Sequence, residues 1–101
     1  MKNTLIDFNL NDGTTINLTL TFAKLNLLRK VNNELYTRYN EIIYGKREDI
    51  LDMITIVYVA YWCANFGKEE LKSEDEFIDL VPFDMTEIQR AYNSLMRPRK
   101  K

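Results

Sequence analysis

Residues 53–64 read Met-Ile-Thr-Ile-Val-Tyr-Val-Ala-Tyr-Trp-Cys-Ala, a stretch without charge in a chain of which 29% is charged. The stretch predicts a helix that is apolar on every side, and such a helix must be covered on every side. A chain of 101 residues buries only roughly two-thirds of its unfolded surface by itself. Either the rest of the domain wraps this helix, or another chain covers part of it.

Length and composition favour a single domain, residues 1–101, without the residues that common catalytic sites need. The chain has one Cys and no His, which excludes Ser–His and Cys–His nucleophiles and zinc sites built from Cys and His. No calcium-loop spacing is present, and we expect no enzyme activity and no cofactor. The apolar stretch is shorter than the about 20 residues that a membrane helix needs. The formal net charge of −1 argues against a nucleic-acid partner.

Residues 4–20 alternate between apolar and polar side chains, which predicts two half-buried strands joined at 11–13. A three-residue loop pairs Phe8 with Ile16 and keeps the apolar side chains on one face. A two-residue loop would pair Phe8 with Asn17 and mix the faces. We therefore predict the three-residue loop, with its glycine in the left-handed position.

The remaining chain predicts helices. Apolar residues recur every three or four positions from Phe22 onward, and the Asn pair that begins at Asn32 permits a bend. Gly45 is expected to take the left-handed position after this first helix. Ser73 and Asp84 each precede a Glu by three residues, the pattern of a capping box. The predicted class is α+β: mostly helical, with an N-terminal β-hairpin packed on about four helices, at 22–44, 48–66, 74–81 and 85–97.

Charge is distributed unevenly along the chain. Residues 24–47 hold six basic side chains and two acidic ones, whereas residues 68–87 hold eight acidic side chains and two basic ones. One interpretation is an ordinary solvated surface with acidic residues at helix N-termini. The other is a bipolar chain whose basic face meets the acidic face of the next copy, in a head-to-tail contact that builds rings or open helices. The second interpretation predicts a homo-oligomer.

The apolar surplus of the helix at 48–66 indicates an interface. Its aromatic residues form one stripe and its aliphatic residues an adjoining one, so either stripe can serve as the core side. Two apolar faces favour one face for the domain and one for a partner, and Tyr and Trp are common at interfaces. We therefore expect at least one of the three aromatics to stay exposed. The candidate surface comprises Tyr58, Tyr61, Trp62, Tyr39 and Arg38.

Four segments carry a family resemblance. They are Thr-Phe-Ala-Lys-Leu-Asn-Leu-Leu-Arg-Lys at 21–30, Tyr-Val-Ala-Tyr-Trp-Cys-Ala-Asn at 58–65, Ser-Glu-Asp-Glu-Phe-Ile-Asp-Leu at 73–80 and Glu-Ile-Gln-Arg-Ala-Tyr at 87–92. Together with the preceding hairpin, they resemble the tail assembly chaperones of long-tailed bacteriophages, particularly those of Gram-positive hosts. The resemblance covers nearly the whole chain and includes no catalytic signature.

The resemblance implies a protein without cofactor or enzyme activity that keeps the tape-measure protein soluble while the tail tube polymerises around it. It implies other tail proteins as further partners, a place in the host cytoplasm, self-association and absence from the mature virion. No binding residue is carried over individually. An alternative from another class is a structural head–tail or tail-completion component of a phage or prophage, which would remain in the finished particle. A small DNA-binding regulator is a further alternative.

Overall fold

An antiparallel hairpin followed by helices makes up the fold in the computed structural model, which describes residues 6–47, 49–68 and 71–96. This arrangement confirms the α+β class, mostly helical with an N-terminal hairpin. The predicted helix 22–44 is two helices, so five helices follow the hairpin within the described residues. The elements are β1 (Ile6–Asn9), β2 (Thr15–Leu18), α1 (Phe22–Val31), α2 (Asn33–Gly45), α3 (Ile50–Asn65), α4 (Glu74–Leu80) and α5 (Met85–Met96).

The hairpin has the predicted register. Phe8 pairs with Ile16, and Ile6 pairs with Leu18. Gly13 has a φ of 88°, the left-handed conformation that the three-residue loop requires. Phe8 and Leu18 are fully buried, so the apolar face of the hairpin docks on the helices.

Asn32 divides the predicted helix 22–44 into α1 and α2. Its backbone has φ −143° and ψ 78°, outside the helical region. Its N–H donates to Leu28 O at 2.7 Å and so ends α1. Its side-chain oxygen accepts from Leu35 N at 3.2 Å and so begins α2. The single helix was therefore a wrong prediction, and the Asn pair that permitted a bend marks the interruption.

Lys46, rather than Gly45, takes the left-handed conformation at the end of α2. Lys46 has φ 55° and ψ 40°, and Gly45 is the last helical residue. Lys46 N donates to Ile43 O at 3.3 Å, and Arg47 N donates to Ile42 O at 3.1 Å. These two bonds place the helix end one residue later than the local preference for glycine predicts.

Helix α3 forms the centre of the core. Nine of its 16 residues are buried, because both helices of the α1–α2 pair, β2, α4 and α5 pack around it. Its N-cap Asp49 accepts from Leu51 N at 2.8 Å. Thr19 N donates to Ala60 O at 3.2 Å and fastens the chain after β2 to the helix. The first of the two alternatives is therefore correct, since the domain itself covers this helix.

Side-chain caps open the two C-terminal helices. Ser73 Oγ accepts from Glu76 N at 3.2 Å, and Glu76 Oε1 accepts from Ser73 N at 3.0 Å, which confirms the first capping box. Asp84 Oδ1 accepts from Glu87 N at 3.2 Å and caps α5. The Glu87 carboxylate, however, binds Arg90 at 2.5 Å, so the predicted second box is only half realised. Arg90 also donates to a backbone carbonyl of β1 at 2.9 Å, which ties α5 to the hairpin.

Several predicted boundaries fall outside the described residues. They are the hairpin residues at 4 and 5, the helix start at 48 and the helix end at 97. Where both can be compared, α3 and α4 each end one residue earlier than predicted, at Asn65 and Leu80.

Gly13→Ala tests the strained loop conformation. A Cβ at this position would meet no atom within 4 Å, so the cost is confined to the backbone at φ 88°. We expect the free energy of unfolding in urea to fall by about 1 kcal/mol or more, with an unchanged m-value. Gly45→Ala is the matched control, because Gly45 is helical and Ala favours a helix. Equal losses at both sites would contradict this explanation.

Lys46→Gly tests the end of α2. Glycine adopts the left-handed conformation without the steric cost that a side chain brings. We expect the free energy of unfolding to rise by about 0.5–1 kcal/mol in urea denaturation. Lys30→Gly, within helical α1, should lower it by about 1 kcal/mol. A loss of stability in Lys46→Gly would show that the lysine side chain stabilises this turn by other contacts.

Candidate partner-binding groove

The three aromatic residues that were predicted to face a partner are buried. The exposed fractions of Tyr58, Tyr61 and Trp62 are 5%, 3% and 4%. Phe77 of α4 packs against both tyrosines, with ring centroids 5.2 Å from Tyr58 and 5.1 Å from Tyr61. Trp62 stacks on Phe66 at 4.4 Å. The predicted exposure is therefore wrong, because α4 and the end of α3 cover the aromatic stripe, which belongs to the core.

The polar tips of the two tyrosines are bonded within the chain. Tyr58 Oη donates to Lys72 O at 2.8 Å, and Lys72 N donates to Tyr61 Oη at 2.8 Å. Both bonds hold the backbone immediately before α4. The two hydroxyl groups therefore fix the connection between α3 and α4.

Burial also changes the acidity of two core groups. It raises the pKa of Tyr58 to about 12, with smaller contributions from Tyr61 and nearby acidic side chains. Burial raises the pKa of the Cys63 thiol to about 12, against a smaller opposing effect of Lys24. The thiol of Cys63 is fully buried and stays protonated at neutral pH, so Cys63 is a small core residue.

Arg38 is engaged within the chain. Its guanidinium donates two hydrogen bonds to the Glu74 carboxylate, at 2.9 and 2.5 Å, and joins α2 to the first residue of α4. The hydrogen bonds to Glu74 raise the pKa of Arg38. One cation of the basic segment is thus paired with the acidic segment of the same copy. Contact of Arg38 with a partner stays a prediction.

Tyr39 lies in an apolar groove on the surface formed by α1 and α2. Two adjoining cavities of about 410 and about 290 Å³ make up this α1–α2 groove. Both cavities are lined by Phe22, Leu25, Tyr39 and Ile43. Tyr39 is half-buried, and this burial raises its pKa. Of the five predicted surface residues, Tyr39 is the one whose position supports that role.

The two cavities of the groove differ in the side chains that line them. The larger cavity extends toward the hairpin and α5, and the smaller one lies between α1 and α2. Arg29, in the smaller cavity, is the one charged side chain among the described residues that line either cavity. Arg29 Nη2 donates to Asn26 Oδ1 at 2.8 Å, which holds the guanidinium beside the groove. The larger cavity adds Ile6, Thr19, Leu20, Thr21, Ser94, Leu95 and Met96, and the smaller cavity adds Asn26, Arg29, Tyr36, Asn40 and Tyr44.

Two exposed aromatic side chains border the groove. Phe22 is 92% exposed and Tyr44 is 81% exposed. Phe22 directly follows the N-cap Thr21, whose Oγ1 accepts from Lys24 N at 3.2 Å, and this cap places Phe22 at the entrance of α1. Large exposed apolar groups beside an apolar groove are typical of a binding surface. The spacing of apolar residues placed Phe22 on the apolar face of its helix. Its position in the first helical turn was the feature of the sequence that could have indicated its exposure.

A third cavity lies beside β2 and differs in chemistry. Its volume is about 680 Å³, and its lining includes Thr15, Asn17, Asn65, Lys68 and Lys72. Asn65 Nδ2 already donates to the backbone oxygen of Asn17 at 3.2 Å. Ile16 and Tyr61 also line this cavity, but polar surface predominates in it, so it suits an apolar helix less well than the α1–α2 groove does.

The described residues hold no group of three or more His, Cys, Asp or Glu side chains that could bind a metal ion. No helix within 6–47, 49–68 and 71–96 is long and apolar enough to cross a membrane. Comparisons with protein-family models, curated proteins and solved structures found no match to this chain. The α1–α2 groove is therefore the feature from which we infer a function.

The raised pKa values of Tyr58 and Cys63 predict a loss of stability in alkali. Both groups have a pKa of about 12 in the folded chain. In the unfolded chain the pKa is about 10 for Tyr and about 8.5 for Cys, so folding favours the neutral forms. The contribution of these two groups to the free energy of unfolding should be fully present below about pH 8 and should fall as the pH rises toward 12. Urea denaturation at several pH values measures this slope. Tyr58→Phe should flatten the part above about pH 10, and an unchanged slope would contradict the assignment to Tyr58.

Proposed function

We propose that this protein is a non-catalytic tail assembly chaperone of a long-tailed phage or prophage, and that it keeps the tape-measure protein soluble in the host cytoplasm. The observation that carries the proposal is the α1–α2 groove with its exposed aromatic border, Phe22 and Tyr44. A holding chaperone needs accessible apolar surface and no reaction chemistry. The resemblance of the sequence supplies the identity of the client.

The groove suits a helical client. Amphipathic helices commonly insert an apolar face into a groove formed by other helices. Here, Leu25 and Ile43 provide aliphatic lining and Tyr39 provides an aromatic wall. A tape-measure protein is long, apolar and helical, so it presents many segments of this kind, and the charge of Arg29 in the smaller cavity would limit their orientation.

The size of the groove also suits temporary binding. Cavities of about 410 and about 290 Å³ accept only a few side chains, so one site buries less area than a stable interface of about 1,200 Å² or more. Weak single contacts, repeated along a long client by many copies, allow release when the tail tube displaces them. This agrees with the proposal that the protein leaves before the virion matures and acts as a homo-oligomer alongside other tail proteins.

Phe22→Ser tests the client site. The side chain is 92% exposed, so the substitution should leave the melting temperature unchanged. We expect the wild-type chain to raise the soluble fraction of a co-expressed tape-measure protein, and Phe22→Ser to lose most of that effect. Leu51→Ser is the matched control, since Leu51 is 67% exposed and lies outside the groove lining. Equal effects of both variants would contradict a client site in the groove.

Mass spectrometry of purified particles tests the alternative role. A chaperone that leaves during assembly should be absent from mature virions. A stoichiometric amount of this chain in the particle would instead identify a structural head–tail or tail-completion component.

A further inference from the structure

The two outer edges of the hairpin differ in how the helices cover them. On the β1 side, Arg90 of α5 donates to the backbone oxygen of Asp7 at 2.9 Å, and α5 packs against the strand. On the β2 side, Thr19 N donates to Ala60 O at 3.2 Å and closes the edge just after the strand. The rest of the β2 edge borders the cavity of about 680 Å³, whose lining includes residues 14–17.

Two residues of β2 direct their backbone polar groups away from β1. Leu10 N donates to Thr14 O at 2.8 Å, so these two residues form a hydrogen-bonded pair. Such pairs alternate along an antiparallel ladder, which turns the N–H and C=O groups of Thr15 and Asn17 outward. Asn65 Nδ2 reaches Asn17 O at 3.2 Å, as this assignment requires. The N–H and C=O of Thr15 and the N–H of Asn17 have no hydrogen bond with another described residue.

The opposite wall of this cavity carries positive charge. The charged side chains among its described lining residues are Lys68 and Lys72, and residues 69 and 70, both Glu, lie outside the described residues. The backbone of Lys72 is fixed on both sides by the two tyrosine hydroxyls of α3. Its charge also acts on the hairpin turn. The pKa of Asp12 is lowered, mainly by hydrogen bonds with Thr14 and to a smaller extent by Lys72.

We propose that β2 accepts an extended peptide segment of a partner protein as a third strand, with acidic side chains of that segment facing Lys68 and Lys72. The outward backbone groups of Thr15 and Asn17 pair with the backbone of the segment. Strand addition of this kind occurs at exposed sheet edges, where backbone bonds supply affinity and neighbouring side chains supply specificity. The cavity volume lies within the range of roughly 300–1,000 Å³ that is typical of ligand sites. This strand site shares no described lining residue with the α1–α2 groove, so it is a second site beyond the proposed client site.

A synthetic hexapeptide, acetyl-Thr-Glu-Val-Glu-Val-Thr-amide, is the probe for this site. Its extended length is about 20 Å, and its alternation favours a strand. Addition of millimolar peptide should shift the NMR amide signals of Thr15 and Asn17 and slow their hydrogen exchange. The same peptide with Lys in place of Glu should bind about threefold or more weakly. Unchanged signals of Thr15 and Asn17, or equal binding of the two peptides, would overturn the proposal.

Methylation of the peptide backbone tests strand pairing without altering the protein. Alternate N–H groups of a strand face its neighbour, so the two Glu nitrogens and the two Val nitrogens face opposite sides. Methylation of one set should leave binding unchanged, and methylation of the other should weaken it about fivefold or more. Equal effects of the two methylations would show that the peptide does not add as a strand.

The double variant Lys68→Gln/Lys72→Gln tests the charge preference. Lys30→Gln is the matched control, because Lys30 is exposed and lines none of these three cavities. At low salt the double variant should lose the preference for the acidic peptide, and the control should keep it. Lysines beside a strand edge can also serve only to prevent aggregation. In that case the double variant would aggregate with an unchanged peptide preference, and the proposal would be wrong.

Phe22→Ser separates this site from the client site. The variant alters the border of the α1–α2 groove and should bind the acidic hexapeptide as the wild-type chain does. Weaker peptide binding in Phe22→Ser would place the peptide in the groove and overturn the strand site. A failure of the tape-measure experiment would leave the peptide results unaffected, so the two proposals are tested separately.

Discussion

The burial of α3 is the constraint on which the rest of the fold depends. A helix without a polar face must be covered on all sides, and β2 and the other four helices of the described residues pack against α3. The side of α3 that carries Tyr58 and Tyr61 is covered by Phe77 of α4, a helix of only seven residues. So short a helix is marginal alone, and its capping box, the Arg38–Glu74 ion pair and the two tyrosine hydroxyls hold it in place.

This covering determines where apolar surface remains exposed. α1 and α2 turn Leu28, Leu35 and Ile42 toward the core, and all three are buried. Their other apolar residues lie at the edge of that contact, where Phe22 and Tyr44 meet solvent. The apolar surplus that the sequence indicates therefore exists, but it lies mainly on the helices that cover α3, and Leu51 is the exposed large apolar residue of α3 among the described residues.

Local patterns predicted the elements better than the surfaces. The hairpin register followed from alternation and from Gly13, because both act through the nearest neighbours in the chain. The exposure of Tyr58 depended on whether Phe77 reaches it across the connection to α4, which no local spacing reveals. The left-handed residue at the end of α2 was predicted at Gly45 but is Lys46. Backbone hydrogen bonds to the last turn of α2 place it there, and they outweigh the local preference of glycine for that conformation. The sequence indicated a possible bend at Asn32. Its role as the C-cap of α1 and the N-cap of α2 depends on its observed backbone angles, which the sequence does not reveal.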